Sequence, residues 1–205
     1  MRKISAFYYF AASLVPLLTA SGGVAQPTRV QKQTTREEVI LREFRQNLGK
    51  RLKVFRAIPA DLSGRGESFV VAVTQDSNDL KPKLRIFLKT GDDYIEEFVL
   101  SKGDFSDLFL EDVNKDGYVD VVALWQCGQL KCITIVGHEK GKGGLKVLLD
   151  TGGRDVRLRS VPDGTKEVIV TSRTYEEKPG EMWAMATDVY HWDGTRFVKT
   201  TNTQK

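Results

Sequence analysis

Short runs of β-branched, aliphatic and aromatic residues recur along most of this chain, and Gly-containing turns separate them. A run that reads Val-Val-Ala occurs at 70–72 and again at 121–123, and apolar runs at 94–100, 145–149 and 197–200 each follow a tight turn. Such runs predict short antiparallel strands joined by hairpins. The chain is therefore expected to be mainly β.

One segment near the amino terminus has helical spacing instead. Ile40, Leu41, Phe44 and Leu48 fall on one side of a helix, and a glycine follows them as a typical helix stop. A Thr-x-x-Glu capping box at the start predicts an amphipathic helix over 34–49. We expect its apolar side to pack onto the β domain.

The first 25 residues have the composition of a signal peptide. Two basic residues precede an apolar run at 4–20, and small residues at 23–25 offer a cleavage site. Residues 26–33 are polar and are predicted to form a disordered linker. The mature chain is thus expected to be periplasmic or secreted, with no transmembrane span after cleavage. Its formal charge of +4 falls to +2 without Arg2 and Lys3, and no basic cluster predicts binding of nucleic acid.

The β region contains an internal repeat. Asp61 and Gly66 align with Asp112 and Gly117 without a gap, and the apolar runs that follow also coincide. The two glycines lie 51 residues apart, and a weaker third copy places Gly164 another 47 residues further on. Units of this size with four short strands match the blade of a β-propeller. The predicted units cover about 53–102, 103–153 and 154–200.

The second unit carries a loop with the donor pattern of a calcium site. Residues 112–120 place oxygen-bearing side chains at positions 1, 3, 5 and 9 and glycine at position 6, and position 7 offers a backbone carbonyl. Such oxygens can surround a hard cation such as Ca²⁺, which takes roughly six to eight oxygen ligands. A turn without an ion stays the alternative, because Asp, Asn and Gly also dominate turns. The predicted ligands are Asp112, Asn114, Asp116, Tyr118 and Asp120.

This loop differs from an EF-hand, which requires flanking helices and a Glu at position 12. Position 12 is Ala123, and the flanking residues predict strands. The loop with its strand exit resembles the Ca²⁺ loop of FG-GAP or VCBS-type repeats, found in integrin-like β-propellers and in many bacterial exported proteins. The resemblance covers about residues 53–200. It implies a mostly β fold with a structural Ca²⁺ ion, and it implies no activity.

Three units are fewer than a closed propeller has. We therefore expect three four-stranded antiparallel blade-like repeats in a partial or open propeller-like arrangement, with the amphipathic helix covering an edge. The chain is expected to be either a monomer or a homodimer that completes a ring, because uncovered strand edges favour association.

The equivalent loops of units one and three lack part of the donor set. Arg65 and Phe69 occupy the positions of two carboxylates in unit one, and Arg159 occupies the position of one in unit three. We predict that a guanidinium takes the place of the ion in these loops. The alternative is that both arginines are solvated, and ion binding by either loop stays open. The predicted pairs are Arg65 with Asp61 and Arg159 with Asp163 or Glu167.

The remaining candidate residues are two cysteines, two histidines and one tryptophan. Cys127 and Cys132 flank a short turn between predicted strands of an exported chain, so we expect a disulfide. His138 and His191 have no partner at a catalytic motif spacing and predict no active site. Trp183, in a loop, either contacts a protein or glycan or covers the core.

These observations favour an exported calcium-binding repeat protein that acts as a binding or scaffolding platform for a protein or glycan. One alternative is an extracellular or periplasmic hydrolase-like enzyme with a structural calcium ion. No carboxylate pair outside the loop at 112–120 stands out in the sequence to support it. Another alternative is an accessory subunit that binds its partner through the amino-terminal helix.

Overall fold

The computed structural model describes residues 29–49, 52–138, 144–174 and 184–203. These ranges contain one α-helix and twelve β-strands, and no helix among them is long and apolar enough to cross a membrane. The predicted signal peptide at 1–25 and Trp183 lie outside the described residues.

The strands form three four-stranded antiparallel sheets, and in each sheet strands that are consecutive in the chain are neighbours. Sheet 1 contains β1 (Leu52–Ala60), β2 (Phe69–Asp76), β3 (Lys83–Thr90) and β4 (Asp93–Ser101). Sheet 2 contains β5 (Asp104–Glu111), β6 (Asp120–Cys127), β7 (Leu130–His138) and β8 (Leu145–Gly153). Sheet 3 contains β9 (Asp155–Ser160), β10 (Lys166–Thr174), β11 (Ala184–Trp192) and β12 (Phe197–Thr203). The predicted mainly β fold with three blade-like units is confirmed.

The helix α1 (Arg29–Leu48) starts earlier than the sequence predicted. Residues 29–33 are helical, so the expected disordered linker at 26–33 was wrong for this part of it. The reason is that Arg, Gln and Lys are good helix formers, so a polar segment of this composition can continue a helix. The apolar side of the helix packs on the β domain as expected, with Phe44 fully buried against Val70, Ala72 and Phe87. It lies on the face of sheet 1, however, so the expectation that it covers a strand edge was wrong, because the central strands β2 and β3 offer the larger apolar surface.

The helix and the three sheets form consecutive layers. Val70 and Ala72 of β2 face the helix, whereas the alternate residues Val71 and Val73 face sheet 2. A further apolar core joins sheet 2 to sheet 3. Its members include residues of β6, β7 and β8 on one side and residues of β9 and β10 on the other, namely Val122, Ile133, Ile135, Leu149, Val156, Val168 and Val170. The central strands of sheets 1 and 2 are therefore buried on both faces, which explains their continuous apolar runs.

Sheets 1 and 2 share register shifts of the β-bulge type, in which one residue of a strand has no partner on its neighbour, and the described pairings of sheet 3 have none. The pairing of β1 with β2 skips Phe55, and the pairing of β5 with β6 skips Ser106, 51 residues later. Likewise β3–β4 skips Glu97 and β7–β8 skips Leu148, again 51 residues later. The described pairings of sheet 3 run without a shift. Units one and two are thus the more similar copies in backbone as well as in sequence.

The face of sheet 3 that points away from sheet 2 is more polar than its counterparts. In sheets 1 and 2 the residues that face the next layer are apolar at the central positions of the second and third strands. In sheet 3 the register places threonine at two of the four equivalent positions. The three sets are Val71, Val73, Leu84 and Ile86; Val122, Leu124, Ile133 and Ile135; and Ile169, Thr171, Thr187 and Val189.

The predicted disulfide between Cys127 and Cys132 is formed, with a Cα–Cα distance of 6.1 Å. It closes the tip of the β6–β7 hairpin, where Gly128 adopts a φ of 67°.

Candidate metal centre

The loops at 61–69 and 112–120 have the same backbone conformation. In the second loop the amide of Gly117 donates to Oδ2 of Asp112 over 3.0 Å, and in the first the amide of Gly66 donates to Oδ2 of Asp61 over 2.7 Å. The residue after each of these Asp residues is fully buried and anchors the loop in a core. A carboxylate at position 1 and a glycine at position 6 thus close both loops.

The match extends to the backbone torsions. Gly66 and Gly117 have φ values of 81° and 88°, in the left-handed region that favours glycine. Position 4 is also left-handed in both loops, with φ of 66° at Gly64 and 58° at Lys115. Lys115 is the one non-glycine residue with positive φ in the part of the chain that the structure describes.

Three of the predicted ligand residues of the second loop are linked by hydrogen bonds. Oδ1 of Asn114 accepts the amide of Asp116 over 3.1 Å, and Nδ2 of Asn114 donates to Oδ2 of Asp116 over 3.0 Å. Oδ1 of Asp116 accepts the amide of Tyr118 over 2.9 Å. Each of these oxygens keeps a further lone pair that could coordinate a cation.

Asp120 is the most unusual member of the set, because its carboxylate is fully buried. Oδ2 accepts the amide of Val113 over 3.0 Å, whereas Oδ1 has no hydrogen-bond partner among the described residues. Gly137 lies against Oδ1, and a Cβ there would be only 1.9 Å away. Burial, together with the nearby carboxylates of Asp116 and Asp112, raises the pKa of Asp120 to about 7 against the hydrogen bond from Val113.

The described residues contain no group of three or more His, Cys, Asp or Glu side chains already gathered around one point that could hold a metal ion. The chemistry of the donor set nevertheless fits a hard cation. Three carboxylates and one amide oxygen share a short loop, one carboxylate oxygen is buried without a partner among the described residues, and burial together with neighbouring negative charges raises the pKa of that carboxyl group.

The arginines of the two degenerate loops differ in their contacts. Arg159 donates from Nε to Oε2 of Glu167 over 2.9 Å, as predicted, and the two residues are cross-strand partners. The predicted pair of Arg65 with Asp61 was wrong. Arg65 is exposed, and the carboxylate of Asp61 instead accepts the hydroxyl of Ser63 and the amide of Gly66.

The loop at 112–120 also contacts the equivalent loops on both sides. The amide of Lys166 donates to the carbonyl of Val113 over 2.8 Å, and Nζ of Lys115 donates to the carbonyl of Asp163. On the other side the ring of Tyr118 lies on Gly64, where a Cβ would be 3.1 Å from the ring. No sequence pattern indicated these contacts, because they depend on the stacking of the sheets.

No protein family, curated protein or solved structure was found to match this chain. The resemblance to FG-GAP or VCBS-type repeats therefore stays a prediction from the loop and its repeat.

Proposed function

We propose that the chain is an exported calcium-binding repeat protein, and that an ion held by the loop at 112–120 stabilises a platform for a protein or glycan partner. The observation that carries this proposal is the shared conformation of two loops with different side chains. The loop at 61–69 reaches that conformation with Ser63, Arg65 and Phe69 at positions 3, 5 and 9. The extra carboxylates of the second loop are therefore not needed for its backbone conformation.

Without a cation, those carboxylates oppose folding, because they place like charges together and bury one of them. A divalent cation removes this cost, and oxygen ligands select Ca²⁺ over softer metals. Three carboxylates around Ca²⁺ give a net charge of about −1, which is typical of extracellular sites with roughly micromolar to millimolar affinity. The proposed ligands are the side-chain oxygens of Asp112, Asn114, Asp116 and Asp120 and the carbonyl of Tyr118.

The stacked sheets support a platform role. Apolar cores join every layer to the next, and fully buried residues such as Val71, Val122 and Ile133 belong to them. Continuous packing of this kind resists deformation. The intact loop contacts the loops of both neighbouring sheets, so an ion there would stabilise the relative positions of all three.

Thermal unfolding with and without Ca²⁺ tests the proposal. At a Ca²⁺ concentration about 100 times Kd, binding adds about 2.7 kcal/mol to stability, and Tm rises by about 5–10 °C. Asp116→Ala is expected to abolish this rise, and calorimetry should show one bound ion in the wild type and none in the variant. Asp61→Ala is the matched control: it lowers Tm with and without Ca²⁺ but keeps the Ca²⁺-dependent rise. A wild-type Tm that is the same in Ca²⁺ and in chelator contradicts the proposal.

A further inference from the structure

Two leucines project from neighbouring hairpin tips at the end of the sheets opposite the loops described above. The register places Asp76 of β2 at this end and Phe69 at the loop end. Leu80, in the β2–β3 connection, is 90% exposed, and Leu130, at the β6–β7 tip, is 47% exposed. Sheets that stack face to face, as sheets 1 and 2 do, lie about 10 Å apart, so the two tips belong to neighbouring layers at one end of the stack.

Both tips are held rigidly by bonds that do not bury the leucines. The carbonyl of Leu80 accepts Nε2 of Gln75 over 2.7 Å, and Lys83 pairs with Asp76 and Asp79 over 2.7 and 2.9 Å. The turn before Leu130 is closed by the disulfide. The leucines are thus presented to solvent by pre-organised turns.

Charged residues of both signs lie near these leucines: Asp76, Asp79 and Asp155 are each paired with a lysine, Asp104 is exposed, and basic residues are in excess. Each leucine is followed by a lysine, Lys81 or Lys131, and both lysines are exposed. Lys131 pairs with Asp155 over 2.7 Å. Exposed basic residues at the same end that form no ion pair within the described ranges are Lys53, Lys81, Arg154 and Arg173. The opposite end instead carries the carboxylates of the loop at 112–120.

We propose that this hairpin end docks on an anionic lipid surface, with Leu80 and Leu130 inserted at the level of the headgroups. Two exposed leucines on separate tips do not form one continuous apolar surface for a protein groove, but each can insert by itself into a fluid membrane interface. Long basic side chains next to an inserted leucine keep their charge among the headgroups. Anionic headgroups attract clustered Lys and Arg at short range. The acidic loop end then faces away from the lipid and stays open to solvent.

Flotation of the exported chain with vesicles tests this proposal. The vesicles are phosphatidylcholine with and without phosphatidylglycerol, and chelator is present so that Ca²⁺ cannot bridge protein and lipid. The wild type is expected to float only with the anionic vesicles and less at high salt. Leu80→Asp with Leu130→Asp should weaken binding more than about 10-fold, and Lys81→Glu several-fold.

Ile95→Asp is the matched control, because Ile95 is 49% exposed on β4 away from the tips. It should bind like the wild type, and circular dichroism should show that all variants are folded. Equal loss with Ile95→Asp, or equal binding to uncharged vesicles, overturns the proposal. A wild type that does not float, but captures an acidic protein or a second copy through Leu80 and Leu130, also overturns it. None of these outcomes depends on Ca²⁺ binding, so the function proposed above is tested separately.

Discussion

The loops at 61–69 and 112–120 have one backbone conformation and two different sets of side chains. Leu62 and Val113 at position 2 are both fully buried, and glycine at position 6 donates to the Asp at position 1 in both. Positions 3, 5 and 9 differ: they are Asn, Asp and Asp in the second loop and Ser, Arg and Phe in the first. The shape of such a loop is therefore set by its buried and closing residues, and its ion chemistry is set by others.

Position 3 shows how the first loop compensates for the missing donors. Oγ of Ser63 accepts the amide of Arg65 over 3.2 Å, as Oδ1 of Asn114 accepts the amide of Asp116 in the second loop. The backbone amide at position 5 thus has a side-chain acceptor in both loops. A repeat can consequently lose its ion ligands one by one while its fold persists.

The largest effect should come from the buried position that both loops share. Leu62→Ala removes a side chain from the core between sheets 1 and 2, and we expect a loss of about 2–5 kcal/mol in the free energy of unfolding. The loss should be equal in Ca²⁺ and in chelator, because this loop is shaped without an ion. Urea denaturation with an unchanged m value measures it. A loss that disappears in Ca²⁺ would show that the first loop also depends on the ion.

A graft tests the separation of shape and chemistry directly. Ser63→Asn with Arg65→Asp gives the first loop the side chains of the second at positions 3 and 5, while Phe69 still occupies position 9. We expect a second Ca²⁺ site that is at least about 10-fold weaker, or about 1.4 kcal/mol, because one carboxylate is missing. Calorimetry counts the sites. If the double variant binds only one ion, a carboxylate at position 9 is required for Ca²⁺ binding.

The smallest expected effect concerns position 4. Lys115 adopts a φ of 58° where the first loop has Gly64. Lys115→Gly and Lys115→Ala both lose the bond to the carbonyl of Asp163, but only glycine relieves the backbone strain. Lys115→Gly should thus be more stable than Lys115→Ala by about 1 kcal/mol. Equal melting temperatures for the two variants would indicate that the loop relaxes at this position.

The sequence predicted the features that depend on local pattern. The recurring Asp and Gly, the apolar runs and the turns were sufficient to predict three four-stranded units, and the two cysteines that flank a turn were sufficient to predict the disulfide between Cys127 and Cys132. The start of α1 was placed too late because polar residues were taken as linker. No sequence pattern indicated the unpartnered oxygen of Asp120 or the contact of Lys115 with Asp163, because both depend on how the strands and sheets pack together.

The polar outer face of sheet 3 has a consequence for growth by gene duplication. Thr171 and Thr187 stand where the other sheets have buried aliphatic residues, and each such residue contributes about 1.5–3 kcal/mol when it is fully buried. A further unit stacked on this face would bury little apolar surface and would gain little stability from the contact. Terminal units of stacked repeats need a more polar outer face of this kind. Sheet 3 therefore has the character of a terminal layer, and stacking a further sheet on this face would first require these two threonines to become aliphatic.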